Sequence, residues 1–99
     1  MLIELKKFGT TLTSRDDGRE ALAAFLPSLK NLPANELIEV SFNGVNTLSP
    51  SWADEFITGL RRLFWGRLNL KSSDNLSVKA TLELLDNIYR QNLNHNHLK

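Results

Sequence analysis

The sequence predicts an α/β domain in which strands and helices alternate in the order β(β)αβαβα. Leu2 to Phe8 mixes apolar and charged residues in near alternation, and within residues 37–43 the apolar Ile38, Val40 and Phe42 fall on one face, as in half-buried strands. Two apolar stripes at helical spacing, 52–64 and 78–89, predict the longer helices. Strands separated by helices need crossover connections, so at least two strands should run parallel. Helices are expected on one or both faces of the sheet.

The first third of the chain contains a second candidate strand and the first helix. Thr10 to Thr13 is rich in β-prone threonine and is predicted to pair with the first strand as a hairpin, which would make the sheet mixed. Ser14, three residues before Asp17, has the pattern of a helix N-cap. Pro27 removes a backbone donor and clashes with the preceding turn, so this helix is expected to kink or stop near Leu26.

The middle of the chain gives the clearest boundaries. Leu37 to Asn43 is predicted to be the central strand, and Gly44 ends it. Ser49 is the natural N-cap of the next helix, because Pro50 is well suited to the first helical position. Gly66 is expected to close that helix. A short strand at 68–71 and a polar break then lead into the last helix.

Length and composition limit the possible functions. Ninety-nine residues with 41% apolar content fit one domain with a modest core, here assigned to residues 1–91, followed by a polar flexible tail at 92–99. The formal net charge of +1 argues against a dedicated nucleic-acid binder. The chain has no cysteine, which excludes disulfides and thiolate metal sites. It shows neither a signal peptide nor a membrane span, so a cytoplasmic location is expected.

The segment from Val40 to Phe56 resembles the signature of the STAS-like family of uncharacterised bacterial and phage domains. That family is related to the sulphate-transporter and anti-sigma-factor-antagonist fold. Phe8-Gly9 and Ser14-Arg15 are similar to its opening, and Asn75 fits its turn into the last helix. The resemblance implies a mixed sheet of four or five strands with three main helices, mostly on one face. The matching central residues are Phe42, Gly44, Val45, Ser49, Pro50, Ser51, Ala53, Asp54 and Glu55, with Trp52 in place of phenylalanine.

The resemblance also implies a function. In classical anti-sigma-factor antagonists, the loop between this strand and this helix carries a serine that a partner kinase phosphorylates. Here Pro50 occupies the phosphoserine position and Ser51 the position after it. The implied function is a non-enzymatic regulatory module that uses no cofactor and docks a protein partner through residues 44–55. A histidine-kinase-like ATPase or an anti-sigma-type regulator is the implied kind of partner.

Each candidate residue of this loop has a structural interpretation as well as a functional one. Ser49 and Ser51 are phospho-acceptor candidates, because a phosphate is favoured at a helix N-terminus; both also fit a capping role. Asp54 and Glu55 are interpreted as first-turn carboxylates that interact favourably with the helix dipole. A carboxylate pair for acid/base catalysis is not expected, since adjacent helix residues point about 100° apart and should not converge. Asp54 is alternatively a partner for Arg15 or for a loop N–H.

Arg15 and the two tryptophans complete the candidate residues. Arg15 is either an anion or partner contact, or a link between the first helix and the strand-helix loop. Trp52 is either a partly exposed anchor for a partner or a packed residue, because aromatic residues are enriched in binding hot spots. Trp65 is interpreted as core or helix-end packing.

The remaining features are weak functional signals. Arg61, Arg62 and Arg67 form a small basic cluster without interleaved exposed aromatics, so nucleic acid is not expected as a partner. His95 and His97 lie in the polar tail, where neither a metal site nor acid/base chemistry is expected. Two alternatives stay open: an accessory subunit that forms homodimers or larger oligomers without a switch, and a small enzyme with a deep polar pocket at the strand ends.

Overall fold

The computed structural model describes the backbone of residues 1–97 and the side chains of residues 1–91. Short strands and longer helices alternate, as predicted. The strands are β1 (Leu2–Glu4), β2 (Thr11–Leu12), β3 (Ile38–Ser41), β4 (Thr47–Leu48) and β5 (Leu68–Leu70). The helices are α1 (Arg15–Leu29), α2 (Pro50–Ala53), α3 (Gly59–Leu63) and α4 (Leu76–His97). A 3₁₀ turn at Leu5–Phe8 follows β1, and a π-helical turn at Asp54–Thr58 joins α2 to α3.

The described strands form two parallel sheets, which corrects the expectation of one mixed sheet. β1, β3 and β5 lie side by side in that order, and β2 pairs with β4. The predicted N-terminal hairpin is wrong, because Thr11 pairs in parallel with Thr47. The residues between β1 and β2 form the 3₁₀ turn and Gly9, instead of the two-residue turn typical of a tight hairpin.

The helices cover one face of the three-stranded sheet. Ile3, Val40 and Leu70 lie in register across the strands on the covered face, and Ile3 and Val40 are fully buried there. Leu2 and Asn69, on the opposite face, are exposed. An all-parallel sheet usually has both faces covered, so one open face is an unusual feature of this chain.

The first helix begins where the sequence places it and ends later. The Ser14 hydroxyl accepts a hydrogen bond from the Asp17 N–H at 3.0 Å, so the predicted N-cap is confirmed. The expected stop near Leu26 is wrong, because α1 contains Pro27 and continues to Leu29. Pro27 lies in the last turn, where little helix follows it and the backbone can tighten into a 3₁₀ bond from the Lys30 N–H to the Pro27 carbonyl.

Residues 50–63 form one continuous helical path, called here the central helical segment. It lies against α1 at very short range: a Cβ added to Gly18 would lie 2.6 Å from the carbonyl oxygen of Trp52. Only glycine therefore allows this approach of α1 to α2. Phe56, Ile57 and Leu60 continue the buried stripe, and each is fully buried.

The last helix extends beyond the position at which the sequence predicts a tail. α4 runs to His97, so its backbone continues through 92–97. The side chains of His95 and His97, and all of Leu98 and Lys99, lie outside the described residues. Among the residues described, no helix combines the length and the apolar character that a membrane crossing requires.

Candidate functional site

The strand-helix loop 44–55 is held from behind by the start of α4. The Asn75 side-chain amide donates hydrogen bonds to the carbonyl oxygens of Val45 and Asn46, both at 3.0 Å. The Asn75 side-chain oxygen accepts from the Val78 N–H at 3.1 Å, so the same residue caps α4. One asparagine thereby fixes the first half of the loop to the last helix.

The loop is also fixed at Leu48. The Leu48 N–H donates to the Ser77 hydroxyl at 3.1 Å, and the Leu48 carbonyl accepts from the buried Thr81 hydroxyl at 2.6 Å. The backbone N–H and the carbonyl of this buried residue are therefore both hydrogen-bonded to side chains of α4. No role was predicted for Ser77 or Thr81; their spacing of four residues, which puts them on one helix face, is the signal that would have paired them.

Ser49 is a structural cap with no spare hydrogen-bonding proton. Its hydroxyl accepts from the Trp52 N–H at 3.1 Å, as predicted for an N-cap, and donates to the Thr13 carbonyl at 2.6 Å. The second bond ties the loop to the end of β2. Ser51, two residues later, is half-buried, and its hydroxyl makes no hydrogen bond within residues 1–91.

Trp52 is not a surface anchor. It is 1% exposed, stacked on Phe56 with the ring centroids 5.0 Å apart and tilted against Phe8 at 6.1 Å. The expectation that Trp52 is partly exposed near the loop tip is therefore corrected, and its packed alternative is the one observed. The reason is the close approach at Gly18, which seals α1 over this turn of the helix.

Arg15 links the first helix to the central helical segment. One of its guanidinium nitrogens lies 3.0 Å from an Asp54 carboxylate oxygen and 3.2 Å from a Glu55 oxygen. The expectation that Asp54 and Glu55 do not converge is thus wrong, since both reach the same nitrogen. Arg19 also contacts Glu55, at 3.4 Å, and Asp16 at 3.2 Å.

The contacts of Arg15 and Arg19 with these carboxylates form a network of ion pairs. The hydrogen bond to Asp54, and after it the bond to Glu55, raises the pKa of the Arg15 guanidinium above its ordinary value. Arg15 is therefore charged at any physiological pH. Each carboxylate is occupied by an arginine, which leaves the pair poorly placed to abstract a proton from a substrate.

The outward side of the loop is polar and exposed. Asn46, Thr47 and Pro50 are exposed, as are Asn43 and Gly44 at the end of β3. Gly44 takes a φ of +84°, a backbone conformation that favours glycine. The loop therefore presents a fixed backbone and short polar side chains to a partner.

A shallow cavity of about 320 Å³ lies beside the loop at the carboxyl ends of β3 and β5. It is at the lower end of the roughly 300–1,000 Å³ typical of small-molecule sites. Within the described residues, no cluster of three metal-ligating side chains is present. The residues that line the cavity are Phe42, Asn43, Gly44, Val45, Ser72, Ser73, Asp74 and Asn75.

Comparison with known families supports the resemblance. The model of a family described as a STAS-like domain of unknown function (DUF4325) matches residues 17–77. The matched region contains most of α1, the whole 44–55 loop and the start of α4. Neither the curated proteins nor the solved structures gave a match to the chain.

Proposed function

Because the chain belongs to the STAS-like domain family, we propose that it is a non-enzymatic regulatory module that binds a protein partner through the 44–55 loop. The function resembles that of anti-sigma-factor antagonists, and the partner class is a histidine-kinase-like ATPase or an anti-sigma-type regulator. The module acts in the cytoplasm and needs no cofactor.

The observation that supports this proposal most strongly is the rigid mounting of an exposed loop. Asn75, Ser77 and Thr81 hold the loop from behind, while its outer side chains remain exposed. Loops positioned by a rigid scaffold are the usual location of binding residues. A loop already fixed in one conformation loses less entropy when a partner binds, so its mounting favours affinity.

Ser51 is the residue of the loop best suited to a regulatory phosphate. The Ser49 hydroxyl is committed to capping and to the Thr13 carbonyl, whereas Ser51 is free of such bonds within the described residues. On a helix, Ser51 shares a face with Asp54 and Glu55, three and four residues later. A phosphate there adds nearly two negative charges beside two carboxylates and competes for Arg15.

The test is a capture experiment with purified domain and lysate of the encoding organism, read by mass spectrometry. Thr47→Glu and Ser51→Asp change the loop surface, and Lys79→Glu changes an exposed charge on α4 as a matched control. A protein captured by wild type and by Lys79→Glu, but lost from both loop variants, supports docking through the loop.

The proposal for the loop fails if every captured protein binds all four forms equally. If Thr47→Glu abolishes capture and Ser51→Asp does not, the docking site stands and the phosphate switch at Ser51 is lost. Equal unfolding midpoints of the four proteins are the control that the variants fold.

A second candidate function is an oligomerising accessory subunit without a switch. The open face of the sheet supports it, because Leu2 on β1 is 51% exposed and Leu37, just before β3, is 57% exposed. A second copy covering this face would supply the layer that parallel sheets normally have. Light scattering of wild type and Leu37→Glu tests this: a dimer that dissociates in the variant supports homodimerisation, and a monomer in both excludes it.

A further inference from the structure

The carboxyl end of the central helical segment has an exposed aromatic surface. Trp65 is 68% exposed, and its ring lies 5.6 Å from that of Tyr89 on α4. Of the two sequence interpretations of Trp65, its exposure contradicts core packing, whereas its contact with Tyr89 agrees with packing at the helix end. The chain turns sharply here through Gly66, whose φ is +78°, and this turn carries Trp65 outward from the core.

A cavity of about 310 Å³ lies beside Trp65, between the end of α3 and α4. Its walls are chiefly aromatic and aliphatic, unlike the polar cavity beside the loop. This volume is at the lower end of the roughly 300–1,000 Å³ typical of small-molecule sites, and it leaves room for an inserted apolar side chain. The residues that line it, called here the Trp65 surface, are Arg61, Phe64, Trp65, Gly66, Leu68, Asp86 and Tyr89.

Arginines surround this cavity. Arg61 lies over the Tyr89 ring at 5.4 Å and is 3.9 Å from Asp86, which also forms an ion pair with Arg90 at 3.1 Å. Arg67 lies over the Phe64 ring at 5.4 Å. Among the charged side chains that line the cavity or contact its lining, three arginines therefore face one aspartate, and the surface carries positive charge.

We propose that the Trp65 surface docks an acidic peptide segment of a partner protein. One apolar side chain of that segment enters the cavity against Trp65, and a neighbouring carboxylate pairs with Arg90 or Arg61. Tryptophan, tyrosine and arginine are the residue types that dominate binding hot spots, and here they occur together around one cavity. The charge of the surface selects an acidic segment.

A second copy of the chain fits this surface poorly. A two-fold contact brings the same patch of both copies together, so the arginines of one copy would face those of the other. Like charges placed in this way oppose association. The positive charge therefore opposes self-association through the Trp65 surface. Self-association is the alternative proposed only for the open face of the sheet.

Single-stranded nucleic acid also fits less well. Such sites stack successive bases on several aromatic side chains along a positive groove. Among the described side chains, Trp65 is the one aromatic residue that is largely exposed, and the chain as a whole carries only +1. Arg67 donates from Nε and Nη2 to the carbonyl oxygens of Glu36 and Pro33, which holds its guanidinium against the loop before β3.

The Trp65 surface is distinct from the loop. The fourteen residues of the central helical segment span about 20 Å at 1.5 Å per residue, and the loop and Trp65 lie at its opposite ends. The two surfaces can therefore be tested separately, and the failure of one leaves the other in place.

The test is selection of random dodecapeptides displayed on phage against the wild-type domain, with Trp65→Ala as the counter-selection target. The expected peptides are rich in Asp and Glu around one apolar residue. Fluorescence anisotropy of the labelled peptides then measures affinity for the variants. Trp65→Ala and Arg90→Glu should each weaken binding by about tenfold or more.

Two matched variants control for nonspecific effects. Leu76→Ala removes an apolar side chain that is 80% exposed elsewhere on the chain, and Lys6→Glu reverses a charge at the opposite edge of the sheet. Both should bind the selected peptides as tightly as wild type. Trp65 and Arg90 are largely exposed, so unfolding midpoints near that of wild type are expected and verify the fold.

Several outcomes overturn the proposal. It fails if no peptide is enriched, if the enriched peptides lack acidic residues, or if they bind Trp65→Ala as well as wild type. Tighter binding of an oligothymidine than of any peptide would identify a nucleic-acid surface instead. A dimer that Trp65→Ala dissociates would identify a second copy as the occupant.

Discussion

The two tryptophans lie at opposite ends of the central helical segment in opposite environments, Trp52 in its first turn and Trp65 two residues past its last residue. At the amino end, Trp52 is 1% exposed and stacks within a group of aromatic rings, while Ser49 ties the loop to β2. At the carboxyl end, Trp65 is 68% exposed beside a cavity rimmed by arginines. The amino end is thus closed by its own chain, and the carboxyl end is open.

This difference separates folding from binding. The apolar surface of Trp52 is removed from water when the chain folds, so it stabilises the domain and holds the loop above it. The apolar surface of Trp65 remains in water and is available to stabilise a complex. At the loop, therefore, the partner contacts are expected from short polar side chains, whereas at the Trp65 surface they are expected from an aromatic anchor.

The largest expected effect distinguishes the two tryptophans directly. Trp52→Ala should lower the free energy of unfolding by about 3–5 kcal/mol, because it leaves a cavity in the core. Trp65→Ala should lower it by about 1 kcal/mol or less, since mainly the ring contact with Tyr89 is lost. Urea denaturation followed by circular dichroism measures both. Comparable losses for the two variants would mean that the ends do not differ in burial.

A smaller effect is expected from the glycines on either side of the packed region. Gly18→Ala should cost about 1–3 kcal/mol, because its new methyl group meets the rigid Trp52 carbonyl at 2.6 Å. Gly59→Ala is the control: its methyl meets the end of the flexible Leu22 side chain at 2.5 Å, which can turn aside. The gain in helix propensity, up to about 1 kcal/mol, should then make Gly59→Ala nearly neutral. A tolerated Gly18→Ala would contradict the close approach of α1 to α2.

The two serines of the loop should differ in the same experiment. Ser49→Ala removes the cap and the bond to Thr13, and should cost about 1–2 kcal/mol. Ser51→Ala should change the free energy of unfolding by no more than about 0.5 kcal/mol, as for an ordinary surface position. If Ser51→Ala proves the more damaging, Ser51 has a structural role and is a poor position for a regulatory phosphate.

The smallest effect belongs to the Arg15 network. Arg15→Gln should lower stability slightly at low salt, because Asp54 and Glu55 lose the cation they share. The difference from wild type should shrink as salt is added, since exposed ion pairs are screened. Unfolding midpoints at low and high sodium chloride measure this. A loss that is the same at both salt concentrations would point to packing of the Arg15 side chain instead.

Local signals in the sequence predicted much of the fold. Ser14, Ser49 and Pro50 mark helix starts through interactions with the next few residues, so their roles could be read without the tertiary structure. The alternation around Val40 likewise identified β3. Membership of the STAS-like family agrees with the motif around Gly44 and Ser49.

What the sequence did not predict depends on contacts between distant residues. The partner of β2 is β4, and nothing within Thr10 to Thr13 distinguishes that pairing from a hairpin. The environments of Trp52 and Trp65 follow from the approach of α1 at Gly18 and from the turn at Gly66. The spacing of apolar residues along a helix predicts neither feature. Arg15 was recognised as a link, but its contact with both carboxylates needed the geometry of the π-helical turn.

Fluorescence quenching of single-tryptophan variants gives the most direct test of the closed and open ends. Trp65→Phe leaves Trp52 as the single tryptophan of the chain, and Trp52→Phe leaves Trp65 as the single tryptophan. With acrylamide as quencher, the emission of Trp52 should be blue-shifted and resistant, and that of Trp65 red-shifted and strongly quenched. Equal quenching, or stronger quenching of Trp52, would contradict the closed amino end and the open Trp65 surface.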